Sequence, residues 1–342
     1  MNNILLSICI PTYNRANRLE NALKSAISNT FDNIEVIVSD NNSQDNTSEI
    51  VEKFKDKRIR YNKNETNIGA NLNIIHTVEI AMGDYILFLS DEDLINENGL
   101  LAILNTISKY KNATVIFGSI FDNPTNRYYF RIEKDEIVRT SIKKIKYFLF
   151  EHAYFSGICI KRNVINLDKI LLYQKENPDF TYPHQHMVLQ AMLKGDCGLI
   201  SENIVIRGPD AGSNFYVQTK ENIKDLYYSP YMRMRLMQHY INLIEINDKN
   251  DRFQKSAYKK IAKIAYRVKI SDIFKSFSKK DIRIYDNYLK TNPKLKIFYL
   301  LYNIAGDTKK LAKSIIPANI FSFFKKAEVK IILYFKQKES KR

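Results

Sequence analysis

The stretch from Gly83 to Ile95 constrains the fold most, because an apolar run in it ends abruptly in three acidic residues. Tyr85 to Leu89 is continuous and β-prone, which is typical of a strand buried on both faces of a parallel sheet. We expect Asp91, Glu92 and Asp93 at the carboxyl end of that strand, where open α/β sheets bind their ligands. Alternation of side chains would turn Asp91 and Asp93 to one side, towards a divalent cation, and Glu92 to the other. An acidic turn that caps the next helix is the alternative.

The first hundred residues alternate between strand and helix patterns. Strands are expected at Ile4 to Ile10, Ile34 to Val38, Arg58 to Tyr61 and Asp84 to Leu89, and helices at Asn17 to Ser28, Asp45 to Lys55 and Ala70 to Met82. This rhythm predicts an α/β fold in which helices flank a mostly parallel sheet. The loops that follow the strands would then meet at one edge of the sheet.

These loops carry the groups that a nucleotide needs. The ring of Tyr13 can stack on a base, the carboxylate of Asp40 can accept a pyrimidine N–H, and the guanidinium of Arg15 can pair with phosphate. The competing interpretation is that Tyr13 packs at the strand end, and that Asp40 and Asn42 form turns by bonding to their own backbone. Four such loops in succession favour a ligand site.

Four motifs, in this order and spacing, resemble the inverting glycosyltransferases of family two, which have the GT-A fold. The motifs are Ile10-Pro-Thr-Tyr-Asn-Arg15, Val38-Ser-Asp-Asn-Asn-Ser-Gln-Asp-Asn-Thr47, Asn67-x-Gly69 and Leu89-Ser-Asp-Glu-Asp93. The similarity is strong from Leu6 to Ile107 and fades beyond. It implies a nucleotide-sugar donor, usually a uridine diphosphate sugar, bound with Mn²⁺ or Mg²⁺. It also implies direct displacement with inversion at the anomeric carbon.

The resemblance also implies roles for single residues. Ser39 stands where many relatives have a second aspartate, and Asn41-Asn42 where a glycine is frequent, so cytidine and thymidine donors stay open. The donor would be bound by Pro11, Thr12, Tyr13, Asn14, Arg15, Asp40, Asn42, Asn67, Gly69, Asp91 and Glu92, and the metal by Asp91 and Asp93.

The acceptor side is expected near a helix that opens at Tyr182 and has Pro183 in its first turn. Relatives commonly carry an acidic pair there, one member of which removes the acceptor proton. His184 is the first candidate for this base and Asp179 the second, because an imidazole of ordinary pKa near 6.5 is a competent base. The alternative is that His184 only caps or packs. A Gly-rich loop from Arg207 to Asn214 would close over the diphosphate, shape the acceptor pocket, or form a surface turn.

The net charge of +16 is concentrated near the end of the chain. Thr308 to Arg342 contains ten basic and two acidic residues, a net +8, and its apolar residues recur at helical spacing. Such a basic amphipathic tail suits an anionic membrane surface, and docking on the protein's own core is the alternative. Nucleic acid is not expected as a partner, because no nucleic-acid module is recognisable.

The remaining composition indicates a cytoplasmic protein, with peripheral attachment to the inner face of the cell membrane as a further expectation. No apolar run of about eighteen residues occurs, and the first residues lack the basic region of a signal peptide. Cys9, Cys159 and Cys197 are too scattered for a disulfide framework or a zinc site and are expected in the core.

Two regions are predicted: a GT-A glycosyltransferase domain at 1–217 and a helical C-terminal region at 218–342 that ends in the basic tail. The predicted function is inverting transfer of a sugar to a saccharide acceptor in bacterial surface polysaccharide synthesis, such as capsule or O-antigen. A lipid-linked acceptor and a homo-oligomer are further expectations. The alternatives are a non-catalytic nucleotide-sugar-binding homologue and a nucleotidyltransferase, although no Gly-x-Gly-x-x-Gly follows the first strand.

Overall fold

The computed structural model describes residues 4–139, 144, 154–208, 229–248, 251–269 and 278–303. The contacts of the chain divide it into two compact units, Met1–Lys260 and Ile261–Arg342. The domain boundary predicted near Val217 and the basic tail at 308–342 lie outside the described residues.

Strands and helices alternate from Leu6 to Phe88, as the sequence predicts for the first hundred residues, and strands follow one another more often after that. The strands are β1 (Leu6–Thr12), β2 (Ile34–Asp40), β3 (Ile59–Lys63), β4 (Tyr85–Phe88), β5 (Leu94–Ile95), β6 (Ala113–Asp122), β7 (Arg127–Phe130), β8 (Glu136–Val138), β9 (Ile158–Lys161) and β10 (Asp196–Arg207). Helices in the described part of the chain include α1 (Ala16–Ile27), α2 (Thr47–Glu52), α3 (Ala70–Glu79), α4 (Glu97–Lys109), α5 (Leu167–Glu176), α6 (Pro183–Lys194), α7 (Pro230–Asn247), α8 (Asp251–Lys269) and α9 (Lys279–Thr291).

The ten strands form one sheet in the order β3-β2-β1-β4-β9-β6-β10-β5, with β7 beside β6 and β8 beside β10. The half that holds the predicted site is parallel, because β1 runs parallel to β2 and β4, and β2 parallel to β3. β9 then runs antiparallel to both β4 and β6. Helices flank the sheet, so the predicted α/β class is confirmed.

The core forces the acidic residues to the edge of the sheet. Leu6, Ile8 and Ile10 of β1 are fully buried and belong to the same apolar cluster as Leu19 and Leu23 of α1. Burying each such side chain stabilises the fold by roughly 1.5–3 kcal/mol. Unpaired charged residues at these positions would forfeit that energy, and Asp91, Glu92 and Asp93 accordingly follow the end of β4.

The first strand continues two residues beyond its predicted end. Pro11 lies within β1 opposite Ser39, and Thr12 lies opposite Asp40. The missing proline N–H does not stop the pairing, because the Thr12 carbonyl still accepts a hydrogen bond from Asn41 N at 2.9 Å. The extension brings the Thr12 side chain to the edge of the sheet.

The three cysteines are core residues, as expected. Cys9, Cys159 and Cys197 are free thiols with no measurable exposure to solvent. Burial raises the pKa of each thiol, because it disfavours the charged thiolate.

The described part of the second unit is helical, in agreement with the predicted C-terminal region. It contains α9 and a further helix at residues 296–303. None of the described helices is both long enough and apolar enough to cross a bilayer.

Candidate active site

Hydrogen bonds join the loop after β1 to the loop after β2. Asn14 N donates to Ser43 Oγ at 2.9 Å, and Gln44 N donates to Asn14 Oδ1 at 2.7 Å. Asn14 and Asn42 both have positive φ, 53° and 66°, which asparagine tolerates better than most side chains. The two asparagines therefore shape the loops, and Asn14 also links them.

Asn41 connects the loop after β2 to the loop after β3. Its Oδ1 accepts from Ile68 N at 2.9 Å, and its Nδ2 donates to Asn67 Oδ1 at 2.7 Å. Asn67 Oδ1 also accepts from Gly69 N at 2.9 Å. Gly69 has φ +84°, a conformation that L side chains rarely adopt, and it directly precedes α3. This network holds Asn67 and Gly69 beside the other loops.

The fourth loop binds to the first through Asp91. Thr12 Oγ1 donates to Asp91 Oδ2 at 2.8 Å, and Arg15 Nη1 donates to Asp91 Oδ1 at 3.1 Å. Arg15 also reaches Glu92 Oε2 at 3.3 Å, and Arg18 reaches the same oxygen at 3.2 Å. The structure therefore brings all four predicted loops to one edge of the sheet.

The expected alternation within the acidic motif is wrong. Arg15 contacts both Asp91 and Glu92, whereas Asp93 has other partners. The reason is that the motif forms a turn, in which Asp93 N donates to Ser90 O at 3.1 Å, so the period of two for an extended strand does not apply. Asp91 and Asp93 consequently lie in different surroundings.

Asp93 is fully buried and accepts hydrogen bonds from two distant segments. Tyr154 OH donates to Oδ1 at 2.9 Å, Ser156 Oγ donates to Oδ2 at 2.5 Å, and Gly208 N donates to Oδ1 at 3.0 Å. Burial raises the pKa of Asp93, and these donors oppose the rise only in part. Burial likewise raises the pKa of Asp91 and Glu92 against the opposing effect of Arg15. Added positive charge at this turn would favour the ionised carboxylates.

The acidic turn also supplies an oxygen donor set that suits a hard divalent cation. An ionised carboxylate has about four lone-pair sites. The hydrogen bonds above use two of these sites on Asp91 and three on Asp93. Oxygens of both residues thus have lone pairs that these bonds do not use, and Asp91 and Asp93 are the residues that would hold Mn²⁺ or Mg²⁺. Among the described residues, no group of three or more His, Cys, Asp or Glu side chains is arranged to hold a metal ion.

Asp40 makes the contacts of a turn-forming residue. It is fully buried, its Oδ1 accepts from Ser43 N at 2.8 Å, and its Oδ2 accepts from Tyr61 OH at 2.6 Å. Tyr13, two positions beyond Pro11, is by contrast 42% exposed. A planar ligand can therefore reach the Tyr13 ring, whereas the Asp40 carboxylate is shared with the protein's own donors.

Ser39 is buried and forms hydrogen bonds with the side-chain amide of Asn73. Ser39 Oγ donates to Asn73 Oδ1 at 2.7 Å, and Asn73 Nδ2 donates to the Ser39 carbonyl at 2.8 Å. These bonds tie the end of β2 to α3.

The two candidate bases lie in contrasting environments. His184 is 3% exposed, and aromatic rings surround it: the centroids of Phe155, Tyr182 and Phe88 lie 5.3, 5.7 and 6.5 Å from its own. These contacts favour the alternative that His184 only packs against its neighbours. Phe155, however, belongs to the segment whose residues Tyr154 and Ser156 bind Asp93, so His184 lies next to that segment.

The carboxylate of Asp179 contacts the guanidinium of Arg235 and the imidazole of His239. Arg235 Nη2 lies 2.7 Å from Asp179 Oδ2, and His239 Nε2 lies 3.3 Å from the same oxygen. Burial acts to raise the pKa of Asp179, but the bonds from Arg235 and His239 outweigh it and lower the pKa. A lowered pKa makes this carboxylate a weaker base.

Sequence reasoning missed Tyr154 and Ser156 and did not recognise what Arg207 and Gly208 contact. The Arg207 guanidinium lies over the rings of Tyr129 and Tyr154, 4.4 and 5.1 Å from their centroids. A Cβ on Gly208 would lie 1.9 Å from the Glu92 carbonyl oxygen, so only glycine fits. The Gly-rich loop was the available signal for Arg207 and Gly208, and the rest of that loop, from 209 to 214, lies outside the described residues.

A cavity of about 460 Å³ borders the acidic turn. Glu92, Arg18, Lys24 and Arg207 are on its wall, together with Gly208. Three basic side chains and one carboxylate make it suited to an anionic or strongly polar ligand.

Several known proteins are similar to this chain in sequence or in fold. Residues 7–167 match the family model described as Glycosyl transferase family 2. An uncharacterised glycosyltransferase of Rickettsia typhi is 30% identical over 187 residues, which cover 53% of this chain and 56% of that protein. The abequosyltransferase RfbV of Salmonella typhimurium is 37% identical over 108 residues, covering 30% of this chain and 32% of the relative. The chain thus spans about half or less of the length of these relatives.

Two further similarities bear on chemistry and fold. A Campylobacter jejuni GalNAc(5)-diNAcBac-PP-undecaprenol beta-1,3-glucosyltransferase is 36% identical over 102 residues, covering 29% of this chain and 33% of that protein. The crystal structure of Staphylococcus aureus TarS 1–349 in complex with UDP-GlcNAc has a TM-score of 0.62 at 17% identity, and the match covers 83% of this chain and 79% of that one. The likeness confirms the predicted GT-A fold. Residues 7–167 are therefore similar to glycosyl transferase family 2, and the relatives that match this part of the chain carry glycosyltransferase names.

Proposed function

We propose that this protein is an inverting glycosyltransferase that moves a sugar from a nucleoside diphosphate sugar, a uridine diphosphate sugar first, to a saccharide acceptor. One observation carries the proposal: hydrogen bonds of Asn14, Asn41 and Asp91 link the four loops to one another, and the Tyr13 ring in the first loop is exposed. A rigid polar cradle next to an open aromatic ring is the arrangement that binds a nucleotide base and its phosphates.

The donor assignment is supported by the chemistry of the cradle. Tyr13 would stack on the base, Arg15 would sit near the diphosphate, and Asn67 and Gly69 would bound the site below the nucleotide. The TarS structure, which shares the fold, was solved with UDP-GlcNAc bound. Asp40 would contribute one acceptor to the base while it keeps its bonds to Ser43 and Tyr61.

Asp91 and Asp93 would hold the divalent cation, because the oxygens of both residues keep unused lone pairs. Burial disfavours the negative charge of each carboxylate, and the positive charge of the cation would offset this effect. When bound, the cation would offset the negative charge that builds up on the leaving nucleoside diphosphate.

The transfer step needs only one proton acceptor. The acceptor hydroxyl oxygen forms a bond to the anomeric carbon, the bond from that carbon to the donor phosphate oxygen breaks, and the electron pair leaves with the nucleoside diphosphate. His184 takes the hydroxyl proton in this proposal, because it adjoins the segment that binds Asp93, whereas Arg235 weakens Asp179 as a base. Because His184 is buried, the acceptor must displace part of its aromatic surroundings.

The wider role stays a proposal as well. Two of the relatives carry names that refer to transfer onto a lipid-linked saccharide or transfer of abequose. Synthesis of a bacterial surface polysaccharide on a lipid-linked acceptor, at the cytoplasmic face of a membrane, would be consistent with those names. We also propose that the basic tail contacts an anionic membrane and that the protein forms a homo-oligomer.

A panel of nucleotide sugars tests the proposal. Purified protein with Mn²⁺ should slowly hydrolyse one donor of the panel, and this hydrolysis should stop when the metal is chelated. Asp91→Asn should abolish it, whereas Lys57→Gln, a change of an exposed residue in the turn before β3, should leave it within about twofold. If no donor is hydrolysed and no nucleoside diphosphate stabilises the protein against heat, the proposed activity is wrong.

A further inference from the structure

The helix at residues 296–303 carries apolar side chains on both its inner and its outer face. On the inner side, Leu295, immediately before the helix, and Tyr299 are fully buried. On the outer side, Ile297, Leu300 and Leu301 are 63%, 43% and 59% exposed. Positions i, i+3 and i+4 lie on one face of a helix, so these three side chains form a continuous apolar surface, which we call the 297–301 patch.

The packing of the helix fixes which face is outward. Tyr299 OH donates to Asp286 Oδ1 at 2.7 Å, and Tyr285 OH of α9 donates to the Ala265 carbonyl at 3.2 Å. The rings of Tyr266 and Tyr302 stack with their centroids 6.4 Å apart. Rotating the helix to bury the 297–301 patch would break the Tyr299 bond and expose its ring, so the patch stays outside.

An outward apolar stripe needs a physical explanation. A surface helix of a soluble domain normally turns its apolar stripe to the core and its charged residues to water. Here the outer face has three large aliphatic side chains close together, and a clustered apolar surface of this kind marks an interaction site.

The charge around the patch indicates the partner. Lys294 and Lys296 directly precede it in sequence, and both are exposed. In the described segment 278–303, six basic residues (Lys279, Lys280, Arg283, Lys290, Lys294, Lys296) outnumber two acidic ones (Asp281, Asp286), a net +4. Exposed aliphatic side chains in a segment of net positive charge match the two properties of an anionic lipid surface, its apolar interior and its negative headgroups.

We propose that the 297–301 patch inserts shallowly into the interfacial layer of an anionic lipid bilayer. The helix would lie in the plane of the membrane, with Ile297, Leu300 and Leu301 among the upper acyl carbons. Lys294 and Lys296 would extend along the apolar surface towards the headgroups. This surface belongs to the described part of the second unit. It depends neither on the basic tail nor on the identity of the transferred sugar.

The absence of tryptophan from the sequence allows a direct test on the full-length protein. Leu300→Trp places a single indole in the patch, and Leu172→Trp places a matched reporter at a residue of α5 that is 57% exposed in the first unit. The probes are vesicles of phosphatidylglycerol mixed with phosphatidylcholine, and vesicles of phosphatidylcholine alone. With the anionic vesicles, the emission of the Leu300→Trp protein should shift to shorter wavelength and be quenched by brominated acyl chains, while the Leu172→Trp protein stays unchanged.

Removing the patch should weaken binding without unfolding the protein. Because the patch side chains are exposed, Ile297→Ser combined with Leu301→Ser should leave the circular dichroism spectrum unchanged. It should lower the affinity for the anionic vesicles at least about tenfold. Leu171→Ser combined with Leu172→Ser, an equally conservative pair of exposed changes in the first unit, should leave the affinity as it is.

Three outcomes would overturn the proposal. One is binding of the protein to anionic vesicles with no change in the Leu300→Trp emission, because another surface would then carry the binding. Another is emission typical of a buried indole before vesicles are added, since the chain itself or a second copy would then cover the patch. The third is an equal response to neutral vesicles, which would exclude the role of the lysines. None of these measurements uses sugar transfer, so their failure is independent of the proposed enzymatic function.

Discussion

Replacing Asp93 by alanine should damage the fold as well as the chemistry. The carboxylate accepts hydrogen bonds from Tyr154 OH, Ser156 Oγ and Gly208 N, and the residue has no exposed surface. Each buried donor that loses its acceptor costs about 1–3 kcal/mol, so three of them could cost up to about 9 kcal/mol. Water can fill the space that the carboxylate leaves, and we therefore expect a loss of about 3 kcal/mol for Asp93→Ala.

Asp93→Asn is the matched control for the lost charge. Its amide oxygen can still accept from Tyr154 OH and Gly208 N, while its amide nitrogen can donate to Ser156 Oγ. The Ser156 hydroxyl must then find a new acceptor, so we expect a smaller loss of about 1 kcal/mol. Sugar transfer should be absent from both variants if the charge of Asp93 holds the cation.

Urea unfolding followed by circular dichroism compares the three proteins, with the midpoint as the readout. The midpoint should fall from wild type to Asp93→Asn and fall further in Asp93→Ala. Equal midpoints in all three would refute the inference that Asp93 joins the segment before β9 to the end of β10. Normal transfer by the stable Asp93→Asn protein would refute the charge-based role and leave only the structural one.

Three further predictions test other parts of the site and its scaffold. Tyr13→Ala should raise the KM for the donor about tenfold through loss of stacking, whereas Tyr13→Phe, which keeps the aromatic ring, should not; an unchanged KM in the alanine variant would exclude base stacking. Gly208→Ala should destabilise the protein by about 1–3 kcal/mol and reduce transfer, because the new Cβ would meet the Glu92 carbonyl at 1.9 Å, and a wild-type thermal midpoint would show that this close approach does not matter. Glu35 accepts from Ser7 Oγ, Arg60 Nη1 and Met82 N; burial would raise its pKa, but these bonds outweigh burial and lower the pKa below its ordinary 4.5. The stability that Glu35 contributes is therefore complete above pH 4.5 and is lost as the pH falls through the lowered pKa of the folded state. Glu35→Gln should accordingly be less stable than wild type at neutral pH, and the difference in urea midpoint should shrink on acidification; a difference that does not change with pH would contradict this.

The amino-acid sequence determined the parallel half of the sheet and the convergence of the four loops. The reason is local: apolar runs that alternate with helical periods indicate strands joined by helical crossovers, which pair in parallel, and parallel strands bring the residues after them to one edge. Tyr13, Asn67 and Asp91 could therefore be placed in one site without knowledge of any contact between them.

Only the tertiary structure decided the partners of each side chain within that site. Ser156 and Gly208 lie 63 and 115 positions from Asp93 in sequence, and no periodicity reports a contact over such a separation. The turn at Asp91 to Asp93 depends on a backbone bond to Ser90, which overrides the alternation of a strand. His184 likewise occupies a predictable helix start, but its enclosure by Phe88 and Phe155 arises from the packing of α6 against β4 and the segment before β9. Local sequence patterns determine where a chain turns, whereas burial and pairing depend on which distant segments fill the space around it.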